Sequence, residues 1–138
     1  MATIEVSIEI NAPIDKVWDI VSDIDNEPKF WRGTKEVRNI SKEGNRVSRE
    51  ITIAFRDQKC MQEVKMSPKE KIETEFTKGI IDGTKTISLS FKDEKTVLRT
   101  IWNIKLTGLM GMFTGMVANH IKSGTEQALQ NIKKEVER

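Results

Sequence analysis

The apolar residues of this chain change their period once, and that change dictates what it can fold into. From Lys35 to Thr107 they recur at every second position, in short runs separated by turn residues. After Thr107-Gly108 they recur every three to four positions, with no breaker through to Arg138. A period of 2 is the mark of strands with one buried face, and a period of 3.6 that of an amphipathic helix. The chain is therefore built as a meander of strands followed by one long helix.

The first ten residues belong to the strand class as well, because Ile4, Val6, Ile8 and Ile10 alternate with polar residues. Asn11-Ala12-Pro13 breaks the pattern, with Pro13 suited to a first helical turn and Asn11 or Ala12 at the cap. Ile14, Val17, Trp18, Val21 and Ile24 then follow helical spacing, and Pro28 separates off a second short helix around Asp25 to Trp31. Strands are expected around Val37 and Ile40, Val47 to Phe55, Lys59 to Met66, Ile72 to Phe76, Ile87 to Phe91 and Leu98 to Leu106. Turns at Lys42-Glu43-Gly44-Asn45, Arg56-Asp57-Gln58, Ser67-Pro68-Lys69 and Lys92-Asp93-Glu94-Lys95 separate them, at the roughly ten-residue spacing of an antiparallel meander. The final stripe of Phe113, Val117, Ile121, Gly124, Ala128 and Ile132 predicts roughly 26 helical residues, about 39 Å of helix. Only that helix is large enough to cover the sheet. The expected class is α+β: a curved antiparallel sheet of six or seven strands wrapped around a long C-terminal helix, with two short helices after the first strand. A cavity between helix and sheet is the natural place for a small molecule.

Composition narrows the function classes. A chain of 138 residues fits one domain, 1–138. Its 23 basic and 21 acidic residues leave a net charge of +2, which provides no electrostatic reason to bind nucleic acid. Cys60 is the single cysteine and His120 the single histidine, so neither a disulfide nor a Cys/His metal cluster is available, and no cofactor is implied. No phosphate loop, zinc spacing or nucleophile elbow occurs. The absence of a signal peptide or a long apolar run makes the cytoplasm the expected location, with no membrane span.

The stretch from Ile10 to Asp23, INAPIDKVWDIVSD, resembles the opening signature of the START-like helix-grip superfamily, which includes polyketide cyclase/dehydrase and lipid-transport proteins. Pro28-Lys29-Phe30-Trp31 resembles its proline-plus-aromatic segment and Val37-Arg38-Asn39-Ile40 its next strand, although Arg32-Gly33 stands where the pattern often has a second proline. The motif covers about the first 40 residues, and the element order extends the likeness over the chain. The resemblance implies the helix-grip fold and the binding or transport of a hydrophobic small molecule: a lipid, an isoprenoid or quinone, or a polyketide-like compound. It also leaves room for a cyclase or dehydratase-like enzyme, and for a quinone-binding or ribosome-associated protein. Near-balanced charge lends the last no support.

Strand parity predicts which side chains would meet such a ligand. Ile51, Ile53, Phe55, Ile72, Phe76, Ile87, Leu89, Phe91, Trp102, Ile104 and Leu106 are expected on the inner face, and Arg49, Gln62, Thr74 and Thr100 share it. Each polar member has a plainer alternative, that of reaching solvent or a backbone group at the end of the sheet. A buried Arg49 needs a partner, and a ligand carboxylate is one candidate. From the helix, Phe113, Met116, Val117 and His120 are expected to border the cavity. In an enzyme, His120 or Arg49 would polarise a carbonyl. An isolated histidine, however, is more often a packing or surface residue, and Cys60 reads as a buried structural thiol. Met110, Met112 and Met116 beside Gly108, Gly111 and Gly115 read equally as ordinary core or as an adaptable pocket wall.

Overall fold

A computed structural model describes residues 1–138. Strand β1 (Ala2–Ile10) leads into helix α1 (Ile14–Val21), a 3-10 turn (Ile24–Asn26) and the short helix α2 (Glu27–Phe30). Six further strands follow: β2 (Thr34–Glu43), β3 (Arg46–Ile53), β4 (Lys59–Ser67), β5 (Lys71–Lys78), β6 (Ile81–Lys92) and β7 (Lys95–Leu106). Helix α3 (Thr114–Glu137) closes the chain. All seven strands form one antiparallel sheet in the order β1-β7-β6-β5-β4-β3-β2. The seven strands, two short helices and long covering helix make up the expected helix-grip architecture. No helix is long and apolar enough to cross a membrane.

Turn chemistry explains the strand boundaries. Gly44 carries the positive φ of +60° that lets Glu43 pair with Arg46 across a two-residue turn. At the other end of the sheet, Asp93 and Glu94 both have positive φ, the signature of a type I′ turn, and Lys92 faces Lys95 across it. The structure departs from the sequence reading at four boundaries. Pro13 is itself the cap of α1, and no side chain caps the helix. Chain direction changes just past Ile53, where a 3-10 turn (Phe55–Asp57) with positive φ at Arg56 and Asp57 removes Phe55 from the strand. Strand β6 begins six residues before Ile87, at Ile81. Residues Gly108–Phe113 form a 3-10 turn, not helix, and α3 starts at Thr114. The Thr114 hydroxyl accepts the Leu106 N–H at 3.1 Å and donates to the Gly111 carbonyl at 2.8 Å, which ties that turn to the end of β7.

The interior has two parts. The larger contains Ile10, Val17, Leu98, Leu129, Ile132 and Val136, beneath α1 and the C-terminal half of α3. The smaller contains Ile4, Ile51, Ile53, Cys60, Phe76, Ile81, Ile104 and Leu106, covered by Met110, Val117 and Ile121. Val6 and Trp102 pack against both. Helix α3 runs along β1 and is latched at its end, where Glu137 accepts the Asn11 N–H at 2.8 Å and Lys133 donates to the Glu9 carbonyl at 2.8 Å. At the opposite end Leu109, Met112 and Met116 are exposed. Leu98 is fully buried at the centre of the larger cluster, so Leu98→Ala is expected to lower stability by about 2–5 kcal/mol in urea unfolding.

Candidate functional site

Register places a row of polar side chains across the middle of the inner face. Arg49 on β3 is directly opposite Gln62 on β4. Thr74 on β5 is opposite Lys85 on β6, and Lys85 is opposite Trp102 on β7. Because successive residues alternate faces, those parities send all five side chains toward α2 and α3. Arg49, Gln62, Thr74 and Lys85 are all buried.

Helix α2 is short, with Pro28 in its first turn, and it brings Glu27 down onto this row. Arg49 Nη2 donates to Glu27 Oε1 at 2.6 Å, Nη1 to the Ile24 carbonyl at 3.0 Å and Nε to Gln62 Oε1 at 2.8 Å. The other Glu27 oxygen accepts the Thr34 hydroxyl at 2.5 Å. Burial by itself would push the Glu27 pKa up. The charges of Lys85 and Arg49 and the hydrogen bonds from Thr34 and Arg49 overcome it and hold the carboxyl at about 2.

Lys85 has a different environment. Its Nζ lies 3.4 Å from the ring centroid of Trp31 and 4.9 Å from that of Trp102. Phe76 stacks on Trp102 at 6.1 Å between centroids, and Trp31 meets it edge-on at 6.3 Å. Trp102 is fixed in turn by its Nε1, which donates to the Thr125 hydroxyl of α3 at 3.1 Å. The ammonium group makes no hydrogen bond and no ion pair, since Glu27, the nearest anion, is taken by Arg49. Burial lowers the Lys85 pKa and Arg49 lowers it further; Glu27 offsets part of this, leaving it at about 8.

The price of that burial can be measured. A fall from 10.5 to about 8 corresponds to about 3 kcal/mol against the folded state at neutral pH. Lys85→Met is therefore expected to raise stability at pH 7, by at most about 3 kcal/mol. The folded-state pKa lies below the unfolded one, so the penalty is complete below about 8 and vanishes as pH rises toward 10.5. Unfolding of the two proteins at pH 7 and pH 10 checks both the gain and its loss.

A cavity of about 30 Å³ opens beside this lysine, lined by 14 residues of which nine are hydrophobic, including Ile20, Val21, Ile24, Phe30, Ile72 and Ile132. Asp23, Glu27, Arg49, Thr74 and Lys85 are its polar members, and Trp31 adds an aromatic ring beside them. A second, larger concavity of about 520 Å³ lies on the outer face of the sheet. Only one of its 12 lining residues is hydrophobic, and side chains such as Glu63, Lys65 and Glu75 there are solvated. The inner cavity is the candidate site.

The residues expected from the sequence divide three ways. Arg49 borders the cavity, as do Thr74, Ile72 and Ile87. Ile51, Ile53, Phe76 and Ile104 are buried in the smaller core cluster, Leu89 in the larger, and Trp102 and Val117 are half-buried against them. Five are not buried. Phe55 is on its 3-10 turn, Phe91 is near the β6–β7 hairpin tip, and Phe113 ends the turn before α3; they are 39%, 55% and 40% exposed. Met116 and His120 are exposed because both sit one residue before an inward position of α3, Val117 and Ile121, about 100° around the helix. The partner of Arg49 is Glu27, not a ligand. Cys60 is buried, and burial pushes its thiol pKa up. Sequence reasoning missed Lys85 and Glu27. Parity with Ile87 and Leu89 was the available signal for Lys85, hidden by the polar run Thr84-Lys85-Thr86; Glu27 had none.

Residues 1–137 match the family model described as polyketide cyclase / dehydrase and lipid transport. Among solved structures, the chain is similar to a Thermus thermophilus protein, TTHA0849, at 14% identity and a TM-score of 0.84, over 98% of this chain and 97% of that one. The Zhui aromatase/cyclase of a Streptomyces species superposes at 15% identity and a TM-score of 0.81, over 99% and 94%. A START superfamily protein of Mycobacterium smegmatis gives 14% and 0.77, over 97% and 98%. Comparison with curated proteins returns no match.

Proposed function

The chain belongs to the polyketide cyclase / dehydrase and lipid transport family, and from that premise we propose that it binds a hydrophobic small molecule between sheet and helices. The ligand classes in view are a lipid, an isoprenoid or quinone, and a polyketide-like compound. The observation that carries the reading is the inner cavity, an apolar enclosure with a few converging polar groups at one side. Its volume of about 30 Å³ is on the scale of one water. A larger ligand enters by moving the cover over it, which here is made of short pieces: the end of α1, the 3-10 turn at Ile24 and the single turn of α2.

Native mass spectrometry of the purified protein, before and after incubation with apolar compounds of these classes, tests the proposal. A stoichiometric apolar adduct is the expected result. Failure to retain or take up any such compound would overturn it. The enzymatic alternative through His120 or Arg49 has little support, because His120 is exposed and every nitrogen of Arg49 already donates to the protein.

A further inference from the structure

We propose that Lys85 is the recognition point for an acidic ligand: its ammonium group takes the carboxylate of an amphipathic acid whose apolar tail occupies the cavity. The inference rests on the reading above that the cavity binds an apolar ligand, and adds the chemical class of the ligand's head.

The argument begins with the charges that face Lys85. Arg49 on β3 and Glu27 on α2 neutralise each other through a 2.6 Å ion pair. Asp23, the remaining charged residue on the lining, is exposed and accepts from Asn26 at 2.6 Å. Across the strands, Lys85 meets only the uncharged Thr74 and Trp102. The buried interior therefore carries one surplus positive charge, and it is on Lys85.

Hydrogen bonding points the same way. An ammonium group has three donors, and no side chain or backbone group of the protein accepts from those of Lys85, although the residue is only 5% exposed. The indole rings of Trp31 and Trp102 attract the charge but accept no ordinary hydrogen bond. Thr74, the register-paired residue of β5, lines the same cavity and brings a hydroxyl to it. A carboxylate placed there would accept from both, in charge-assisted hydrogen bonds, and would bring the interior to neutrality. An ester would offer only a neutral acceptor. A cationic head would meet Lys85 and Arg49 with like charge.

The experiment uses the full chain and three probes of one chain length: octanoic acid, methyl octanoate and octyltrimethylammonium, followed by quenching of tryptophan fluorescence at pH 7. Wild type is expected to bind the acid about tenfold more tightly than the ester, and the cation most weakly. In Lys85→Met the preference for the acid over the ester should disappear; Lys85→Arg should keep it. Raising the pH from 7 to 10 should erase the wild-type preference, as Lys85 loses its proton near 8, and leave the ester unaffected. Equal affinity of wild type for acid and ester overturns the proposal, as does a preference that survives in Lys85→Met. Failure of acid and ester alike would instead overturn the cavity reading on which the proposal stands. A far-UV spectrum and unfolding curve for each variant separate loss of the charge from loss of the fold.

Discussion

Glu27→Gln is expected to destabilise the protein by about 3–5 kcal/mol, one of the two largest losses from a single substitution away from the hydrophobic clusters. Glu27 is 11% exposed and its ion-pair partner Arg49 only 2%, so neither charge has much water to fall back on. Glutamine retains an oxygen that accepts from Thr34 or from Arg49. What it cannot supply is the negative charge, and the variant leaves Arg49 and Lys85 as two uncompensated cations on one face of the sheet. Breaking a buried pair in this way is far more damaging than replacing it whole, because the surviving ion keeps its desolvation penalty. Glu27→Gln combined with Lys85→Met should therefore recover at least about 1 kcal/mol beyond additivity.

Acid should reproduce the same loss in the unmodified protein. The Glu27 carboxyl has a folded-state pKa of about 2 against an ordinary value of 4.5, so its contribution is fully present above 4.5 and is lost as pH falls toward 2. That shift amounts to about 3 kcal/mol. Wild type should lose this increment between pH 5 and pH 2, whereas Glu27→Gln, which has no carboxyl there to titrate, should show a flatter profile. A variant as stable as wild type at pH 7 would mean that the buried cations are neutralised some other way.

Gly83→Ala is expected to be the most damaging small substitution in the sheet, with a loss above about 4 kcal/mol or failure to fold. Gly83 lies within β6, between Phe76 of β5 and Ile104 of β7. Its φ of +129° lies in a region that residues with a Cβ rarely adopt. An added methyl would also be 2.0 Å from the Asn103 carbonyl oxygen and 2.9 Å from the Ile104 Cα. Both are backbone atoms of the neighbouring strand, so relief requires β6 and β7 to separate, next to the strand residues that hold Lys85 and Trp102 in place. Soluble yield and far-UV circular dichroism measure the outcome. By contrast, Gly33→Ala, where nothing lies within 4 Å of the new methyl, should be close to neutral.

What could be read in the sequence and what could not follows from how local each signal is. Alternation is a property of a few consecutive residues, and it correctly turned Arg49, Gln62, Thr74 and Thr100 inward although all four are polar. It failed where the strand itself ended. Phe55 continues the alternation of β3, but a reversal with two positive φ angles comes first. Phe91 holds its parity with Leu89, yet it lies two residues from the turn at Asp93 and is 55% exposed, and parity gives a face without saying what covers it. The helical stripe likewise identified Val117, Ile121, Ala128 and Ile132, but not Met116 and His120, one residue off its line. Glu27 and Lys85 were out of reach for a different reason. Each is individually an ordinary surface residue type, and they belong inside only because the 57 residues between them fold back to give each its electrostatic neighbours.

The position of β1 bears on how this chain is made. In the sheet it is the neighbour of β7 alone, and the Thr3–Asn103 hydrogen bond joins residues 100 apart in sequence. Strands β2 to β7 can form their five hairpin pairings in turn as the ribosome extends the chain, but β1 has nothing to pair with until its partner has left the exit tunnel. Through that interval its isoleucines and the apolar side of α1 remain uncovered, and closing so long a loop slows the final step. The last helix then lies along β1 and latches to it through Asn11 and Glu137. Translation speed across β7 and α3 thus sets how long a nascent apolar strand is open to chaperones, or to the same strand of another copy.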